Sequence, residues 1–338
     1  MEKLKKMLPK FCGFLFFGTM CTFVSAQKIN YQVNPQTGAL QTLSIANDPQ
    51  KMNWLVVTDG SQYRWVKENY GWGLGYATQV KGNRKEKVSW EIPAEMKQEG
   101  NELVYMAGDI RICVKRKMVE DELIEEYTFR NQGKDKVALV DIGVYTPFND
   151  NYPGSRTCIN ARTNTHIWEG ENAAYVNVLR MGGHAPHLGL VLTKGAVKGY
   201  EIWERGRDKG NSHTRGIIAL NLSDLQLMPG KEYSMSWCLF AHKGIDDFRQ
   251  KLLEKGSVFV SCNKYVFEKG EKACIELAAE TSIQKCVLKN QDIHIPMKKR
   301  GNLWIAEVKM DQLGENRFDI FYGKGKQTHV TCLVDRKS

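Results

Sequence analysis

Short runs that alternate apolar with polar residues, interrupted by Gly, Asn, Asp or Pro, fill the chain from residue 27 onward. INYQV, LQTLSIA, NWLVV, KVSWEI, ELVYMAG and IRICVK are rich in Val, Ile, Tyr and Trp, the composition and period of half-buried strands. ICVKRKMVEDELIEEYTFRNQG predicts a hairpin whose two alternating strands meet around Glu120, Asp121 and Glu122. AYVNVLRM, LGLVLTK, KGYEIWE, GIIALNLS and YSMSWCLFAH extend the pattern to about residue 242. So many short strands divided by turn signals predict an all-β, antiparallel sandwich, with a closed barrel as the main competitor. One segment changes period. Ile245, Phe248, Leu252 and Leu253 recur at helical spacing in IDDFRQKLLEKG, with Asp246 and Asp247 near the start and Gly256 after the end. A short linker helix is therefore expected within residues 244–256, between a large sandwich over 27–243 and a smaller strand-rich unit over 257–338.

Residues 1–26 do not fit this pattern. Lys3, Lys5, Lys6 and Lys10 precede the apolar run FCGFLFFGTMCTFV, and Val24, Ser25 and Ala26 supply small residues before Gln27. This is the layout of a cleavable export signal, and the run is short for a membrane span, so a periplasmic or secreted location with no membrane span after cleavage is expected. Cleavage would remove four lysines and one glutamate, lowering the net charge from +10 to +7. The basic residues are scattered, so nucleic acid is not an expected partner; a mildly basic surface suits acidic polysaccharide at least as well. Nine cysteines include Cys12 and Cys21 in the leader, which leaves an odd seven. No CxxC spacing occurs, several of the seven sit between apolar neighbours, and one disulfide within 257–338 is open without a readable pairing.

Candidate chemistry gathers between His166 and Arg215, in THIWEGEN, RMGGHAPHLG, YEIWERGRDKGN and SHTRG. A sugar site needs aromatic faces for stacking and carboxylates or guanidinium groups for hydroxyls and uronates. Trp168, His166, Arg180, His187, Trp203, Arg205 and Arg215 are the carbohydrate-binding candidates, and Glu201, Glu204 and His184 the weak catalytic ones. A solvated strand face with ordinary loop histidines is the plain alternative. His184 and His187 flank Pro186, which rules out the helical spacing of a metal pair; no metal site and no cofactor are expected. Glu201 and Glu204 are three apart in an apparent strand, so their side chains should leave opposite faces. In WVKENYGWGLGYATQ, glycines alternating with Trp65, Tyr70, Trp72 and Tyr76 suggest a twisted strand with its aromatics on one side, packed in the core or serving as a stacking platform.

EEYTFRNQGKDKVALVDIGVYTPFNDNYP, INARTNTHIWEG, RMGGHAPHLGLVLTKGAVKGYEIWERG and LQLMPGKEYSMSWCLFAH together resemble the N-terminal, galactose-mutarotase-like β-supersandwich of six-hairpin-type glycosidases and related polysaccharide-degrading enzymes. The following unit resembles the small immunoglobulin-like domain that often comes next. The resemblance implies a carbohydrate-active protein with a glycan or oligosaccharide partner, acidic glycans included. It also implies a C-terminal catalytic (α/α) toroid, of which this chain carries none. The expectation is thus the non-catalytic front portion of a glycoside hydrolase or polysaccharide lyase. Two alternatives stand beside it: a hydrolase, lyase or mutarotase-like epimerase with its site in the sandwich, and a protein-binding adhesion or structural module.

Overall fold

The computed structural model describes residues 28–56, 70–91, 95–203 and 216–336. In chain order the first part holds β1 (Ile29–Val33), β2 (Leu40–Ile45), β3 (Gly75–Lys81), β4 (Arg84–Ser89), β5 (Lys97–Glu99), β6 (Glu102–Ala107), β7 (Ile110–Val119), β8 (Glu122–Asn131) and β9 (Val137–Tyr145). A short helix, α1 (Ser155–Ala161), precedes β10 (Thr163–Trp168), β11 (Tyr175–Arg180), β12 (His187–Lys194), β13 (Val197–Trp203), β14 (Ile217–Leu222), β15 (Leu225–Leu227) and β16 (Glu232–His242). Then come α2 (Ile245–Glu254) and the strands β17 (Phe259–Cys262), β18 (Val266–Glu268), β19 (Lys272–Ala278), β20 (Ile283–Leu288), β21 (Ile293–Ile295), β22 (Lys298–Arg300), β23 (Leu303–Lys309), β24 (Gly314–Tyr322) and β25 (Lys326–Asp335).

Two antiparallel sheets face each other in the first part. One has eight strands in the order β10-β11-β12-β16-β8-β7-β6-β5; the other runs β13-β14-β9-β3-β4, with β15 also paired to β9. Their inner faces share one core containing Trp54, Trp72, Trp90, Tyr127, Phe129 and Trp237. Period two explains which residues enter it. In β8, Leu123, Glu125, Tyr127 and Phe129 are buried while the intervening side chains are only partly so. The predicted hairpin is β7 and β8, with Val119 opposite Glu122 and Glu120 in a left-handed turn conformation at φ 53°.

The helix α2 covers part of the other face of the eight-stranded sheet. Phe248 and Leu252 are buried in a small cluster with Val191, Cys238 and Phe240. This is why β16 is buried on both faces over its last eight residues, where a half-exposed strand would alternate. Beyond α2, β17-β19-β23-β22 and β18-β25-β24-β20-β21 form two sheets that share no strand with the preceding ones. They enclose a separate core built on Ile275, Leu277, Phe318, Ile320 and Val330.

Three segments differ from what their sequence pattern predicts. NWLVV is not a strand over its described residues; Leu55 makes only an isolated bridge to Phe148. SRTCINA, given no element by periodicity, is the helix α1, which buries no residue and so lacks an amphipathic signal. The aromatics around the GWGLG run also do not share one side. Trp72 is fully buried in the core, whereas Tyr70 and Tyr76 line the outer surface of the β13-to-β4 sheet.

Candidate functional site

A kink in one strand creates the site. Between Tyr76 and Thr78 of β3, the partner strand β9 advances from Gly143 to Val140, one residue more, and Asp141 at φ 51° takes up the excess. Leu139 and Ile142 therefore both stay in the core while Asp141 and Gly143 face the other way, and the Tyr145 ring, itself fully buried, borders the same surface. Across the sheet, Tyr145 aligns with Ala219 and then Glu201, and Tyr76 aligns with Gly143 and then Asn221. Small residues at the centre and large ones at the sides leave a groove of about 510 Å³. Its walls carry Tyr70, Tyr76, Tyr145, Glu91, Asp141 and Glu201, with Lys87 as a cation.

Gly143 is required for this shape. A Cβ there would lie 2.3 Å from Tyr76 Cζ, so only glycine lets the ring cross the strand. The Tyr76 hydroxyl then donates to Glu201 Oε2 at 2.7 Å. The Tyr145 hydroxyl donates to Glu91 Oε1 at 2.5 Å, and its ring meets those of Tyr70 and Tyr76 at centroid distances of 5.2 and 5.6 Å. Burial, reinforced by the Glu91 carboxylate, pushes the Tyr145 phenol well above its ordinary range. It is thus a neutral donor at any working pH, held against an acceptor. Glu169, which does not line the groove, has its Oε2 3.6 Å from where a Gly199 Cβ would be, and burial raises its carboxyl against the opposing pull of Arg317.

The groove offers apolar ring faces, oriented hydroxyls and a majority of carboxylates. That set can stack on a sugar ring and accept hydrogen bonds from its hydroxyls. It is poorly suited to proton abstraction beside a uronate carboxylate. Such a step needs a base of low enough pKa and a cation on the substrate carboxylate, whereas here negative charge predominates and Tyr145 resists ionisation.

The residues singled out from sequence do not converge. Glu201 is in this groove. Arg180 is fully buried in an ion pair with Asp48 at 2.8 Å, donates to the Asn160 carbonyl, and lies over the Trp54 ring at 5.6 Å. His187 is buried too: its Nδ1 accepts the Arg180 backbone N–H at 3.1 Å and its ring packs on His242 at 5.3 Å. Both occupy the interior, away from any open sugar face. His166 is exposed on the edge strand β10, and His184 is exposed in the turn before β12. Trp168 stacks on Tyr175 at 6.3 Å and packs against the core of the second unit. His184 lies beyond the Thr163–Arg180 end of the β10–β11 pair and Trp168 at the other, five residues or about 17 Å along the strand. Glu204, Arg205 and Arg215, together with the Trp203 side chain, lie outside the described residues.

Tyr145, Glu91 and Asp141 were missed. Each sits in an ordinary strand or turn phrase, and only the bulge brings them beside Tyr76. The glycine–aromatic alternation around Tyr70 and Tyr76 was the one sequence signal for this place.

The first part is thus a two-sheet antiparallel β-sandwich with an aromatic, acidic groove on the outer face of one sheet. No family model matches the chain, and no curated protein matches it. Among solved structures it is similar to a polysaccharide lyase, with 54% identity over 93% of this chain and a TM-score of 0.85. The chain spans 47% of that lyase, about half its length. It also matches a galactose mutarotase related enzyme of Lactobacillus acidophilus, with 10% identity, a TM-score of 0.40, and coverage of 65% of this chain and 97% of that one. An alpha-galactosidase of Geobacillus stearothermophilus matches with 11% identity, a TM-score of 0.34, and coverage of 72% and 45%.

Proposed function

We propose that this is a carbohydrate-active protein acting as the glycan-binding, non-catalytic portion of a polysaccharide-degrading enzyme, exported to the periplasm or beyond. The observation that carries this reading is the 54% identity to a polysaccharide lyase over nearly the whole of this chain, at half of that lyase's length. The Tyr76–Tyr145 groove is the binding site in this reading. Its carboxylates Glu91, Asp141 and Glu201 favour a neutral, hydroxyl-rich sugar residue and disfavour a uronate at the same position. An acidic polysaccharide is engaged through its neutral residues.

Calorimetric titration of neutral and uronate-bearing oligosaccharides into the purified chain tests the proposal. Neutral sugars should bind weakly, and Tyr76→Phe and Glu201→Gln should each weaken binding several-fold, the effect of about 1 kcal/mol per lost hydrogen bond. Trp168→Ala, at a residue that packs against the second unit's core and does not line the groove, should leave binding unchanged. Digests of polysaccharide should release neither reducing ends nor unsaturated uronates. Turnover abolished by Glu201→Gln would instead establish an enzyme with its site in the sandwich, and a folded protein that binds no glycan would refute the reading altogether.

A further inference from the structure

Seven free cysteines are described, and two of them face each other across the second unit. Cys262 ends β17, the edge strand of one sheet, and is half-buried; Cys332 lies in β25, flanked on both sides by strands of the opposing sheet, and is fully buried. Their sulfurs are 4.0 Å apart, although 70 positions separate them in sequence. The backbone around Cys262 is held in place. Cys262 is in register with Ile275, the Asn263 side chain accepts the Cys274 N–H at 2.8 Å, and the Leu333 N–H reaches the Tyr265 carbonyl at 2.8 Å. A disulfide needs a sulfur separation of about 2.05 Å, so each sulfur has to move by only about 1 Å, within the reach of a side-chain rotation.

We infer that Cys262 and Cys332 are an oxidisable pair that closes a disulfide between the two sheets of the second unit. The oxidant is a glutathione-like or protein disulfide. Cys262 is the attacking group: it is the accessible member, and the hydrogen bond from Cys332, against its own partial burial and with backbone N–H groups assisting, lowers its thiol to about 7. Its thiolate attacks one sulfur of the oxidant, whose S–S bond breaks and whose other half leaves as a thiolate that takes up a proton. Cys332, raised by its hydrogen bond to Cys262 and by burial, resolves the mixed disulfide. The neighbouring negative charge at Cys262 is gone by then, which eases loss of the Cys332 proton. Its sulfur displaces the second half of the oxidant from Cys262, giving one intramolecular disulfide and two equivalents of reduced thiol. The crosslink ties the edge strand β17 to the interior of the facing sheet and constrains the unfolded chain across 70 positions.

The test oxidises the full, reduced chain with oxidised glutathione and counts thiols after denaturation. Two fewer thiols than in the reduced protein are expected, and a non-reducing peptide map should join the segments holding Cys262 and Cys332. The oxidised form should unfold at a higher temperature. Cys332→Ser should stop the reaction at a mixed disulfide, seen as a mass gain of one glutathionyl group on Cys262. Cys262→Ser, at the more exposed position, should abolish both the crosslink and the adduct, while Cys274→Ser on the neighbouring strand leaves the crosslink intact. An unchanged thiol count, a map that pairs either residue with another cysteine, or a mixed disulfide that persists in the unsubstituted protein would overturn the inference.

Discussion

Replacing Gly143 by alanine separates the groove from the fold that carries it. The added methyl would lie 2.3 Å from Tyr76 Cζ, 2.5 Å from its hydroxyl oxygen and 2.6 Å from Cε1. Gly143 is not among the glycines of positive φ, so the backbone accepts alanine and the ring must move instead. Tyr76 lines an open wall and can swing out. The cost is the Tyr76–Glu201 hydrogen bond, about 1 kcal/mol, and crowding at the low end of the about 1–3 kcal/mol for overpacking. Restricting the unfolded chain returns about 0.4–1 kcal/mol, which leaves a net loss of about 1 kcal/mol. Gly75→Ala is the contrasting variant. There the methyl would fall 2.1 Å from the Gly143 carbonyl oxygen and 2.6 Å from Trp90, both fixed by sheet and core, so about 3 kcal/mol or more is expected. Urea unfolding followed by tryptophan fluorescence measures both, and oligosaccharide titration reports the groove. Gly143→Ala should remain nearly as stable as the parent while binding falls roughly tenfold or more, the loss of one hydrogen bond and a stacking face. Equal destabilisation of the two variants, or undiminished binding by Gly143→Ala, would refute the argument.

Three further outcomes follow from the interior and from the junction of the two units. Glu125→Ala strands the buried Arg116 guanidinium and the indoles of Trp72 and Trp237, which now donate to Glu125 Oε2 at 2.7 and 2.6 Å; urea unfolding should show a loss of about 3–5 kcal/mol. His242 is held down to about 4, by burial first and then by His187, so the unfolded chain takes up its proton at a higher pH than the folded one. Stability should therefore fall as pH drops from about 6.5 to about 4, by up to about 3 kcal/mol, and His242→Gln should flatten that slope in unfolding curves taken across the window. Glu171→Ala removes the acceptor of Arg317 at 2.6 Å and of the Gln327 side chain, with both ion-pair partners partly exposed; a loss of about 1 kcal/mol and faster hydrogen exchange in residues 326–331 are expected.

Strand alternation made the architecture readable, since period two sorts residues to the two faces of a sheet without reference to distant contacts. The helix α2 was readable for the same reason at a different period: Phe248 and Leu252 are the buried pair, even though Ile245 is left exposed at the first position. The groove was not. Glu91 follows β4, Tyr145 ends β9 and Glu201 lies in β13, so their meeting depends on strand order and on an extra residue at Asp141. Neither quantity has a local sequence signature. Tyr76 could be suspected from its glycine-rich surroundings, but Gly143, the residue that admits its ring, is 67 positions away and reads as an ordinary strand glycine.

Buried charge is where residue type misleads and alternation corrects it. Lys115, Arg116 and Lys117 look like a solvated basic run, yet Arg116 shares parity with Ile110, Ile112 and Val114, all core residues. Its cross-strand partner is Glu125, which shares parity with Leu123, Tyr127 and Phe129. Alternation alone therefore places an arginine and a glutamate opposite each other inside the sandwich, where they pair at 2.6 Å. Arg180 and His187 are the same case in a different guise. Their neighbours in RMGGHAPHLG suggest a binding loop, but Arg180 follows the buried Val176 and Val178 at even spacing and meets Asp48 with no exposed surface. A paired charge in a core costs desolvation that a hydrophobic replacement would avoid, so such residues carry little net stability while removal of one partner is severe. A sugar site needs the opposite condition, polar groups that remain open to solvent until the ligand arrives. By that criterion the described candidates of the chemistry-rich stretch divide: Arg180 and His187 lie in the core, Trp168 at the unit junction, His166 on an edge strand and Glu201 in the groove. Among the described residues, polar surface beside ordered rings is found at Tyr76, Asp141 and Glu201, with the buried Tyr145 ring packed behind them.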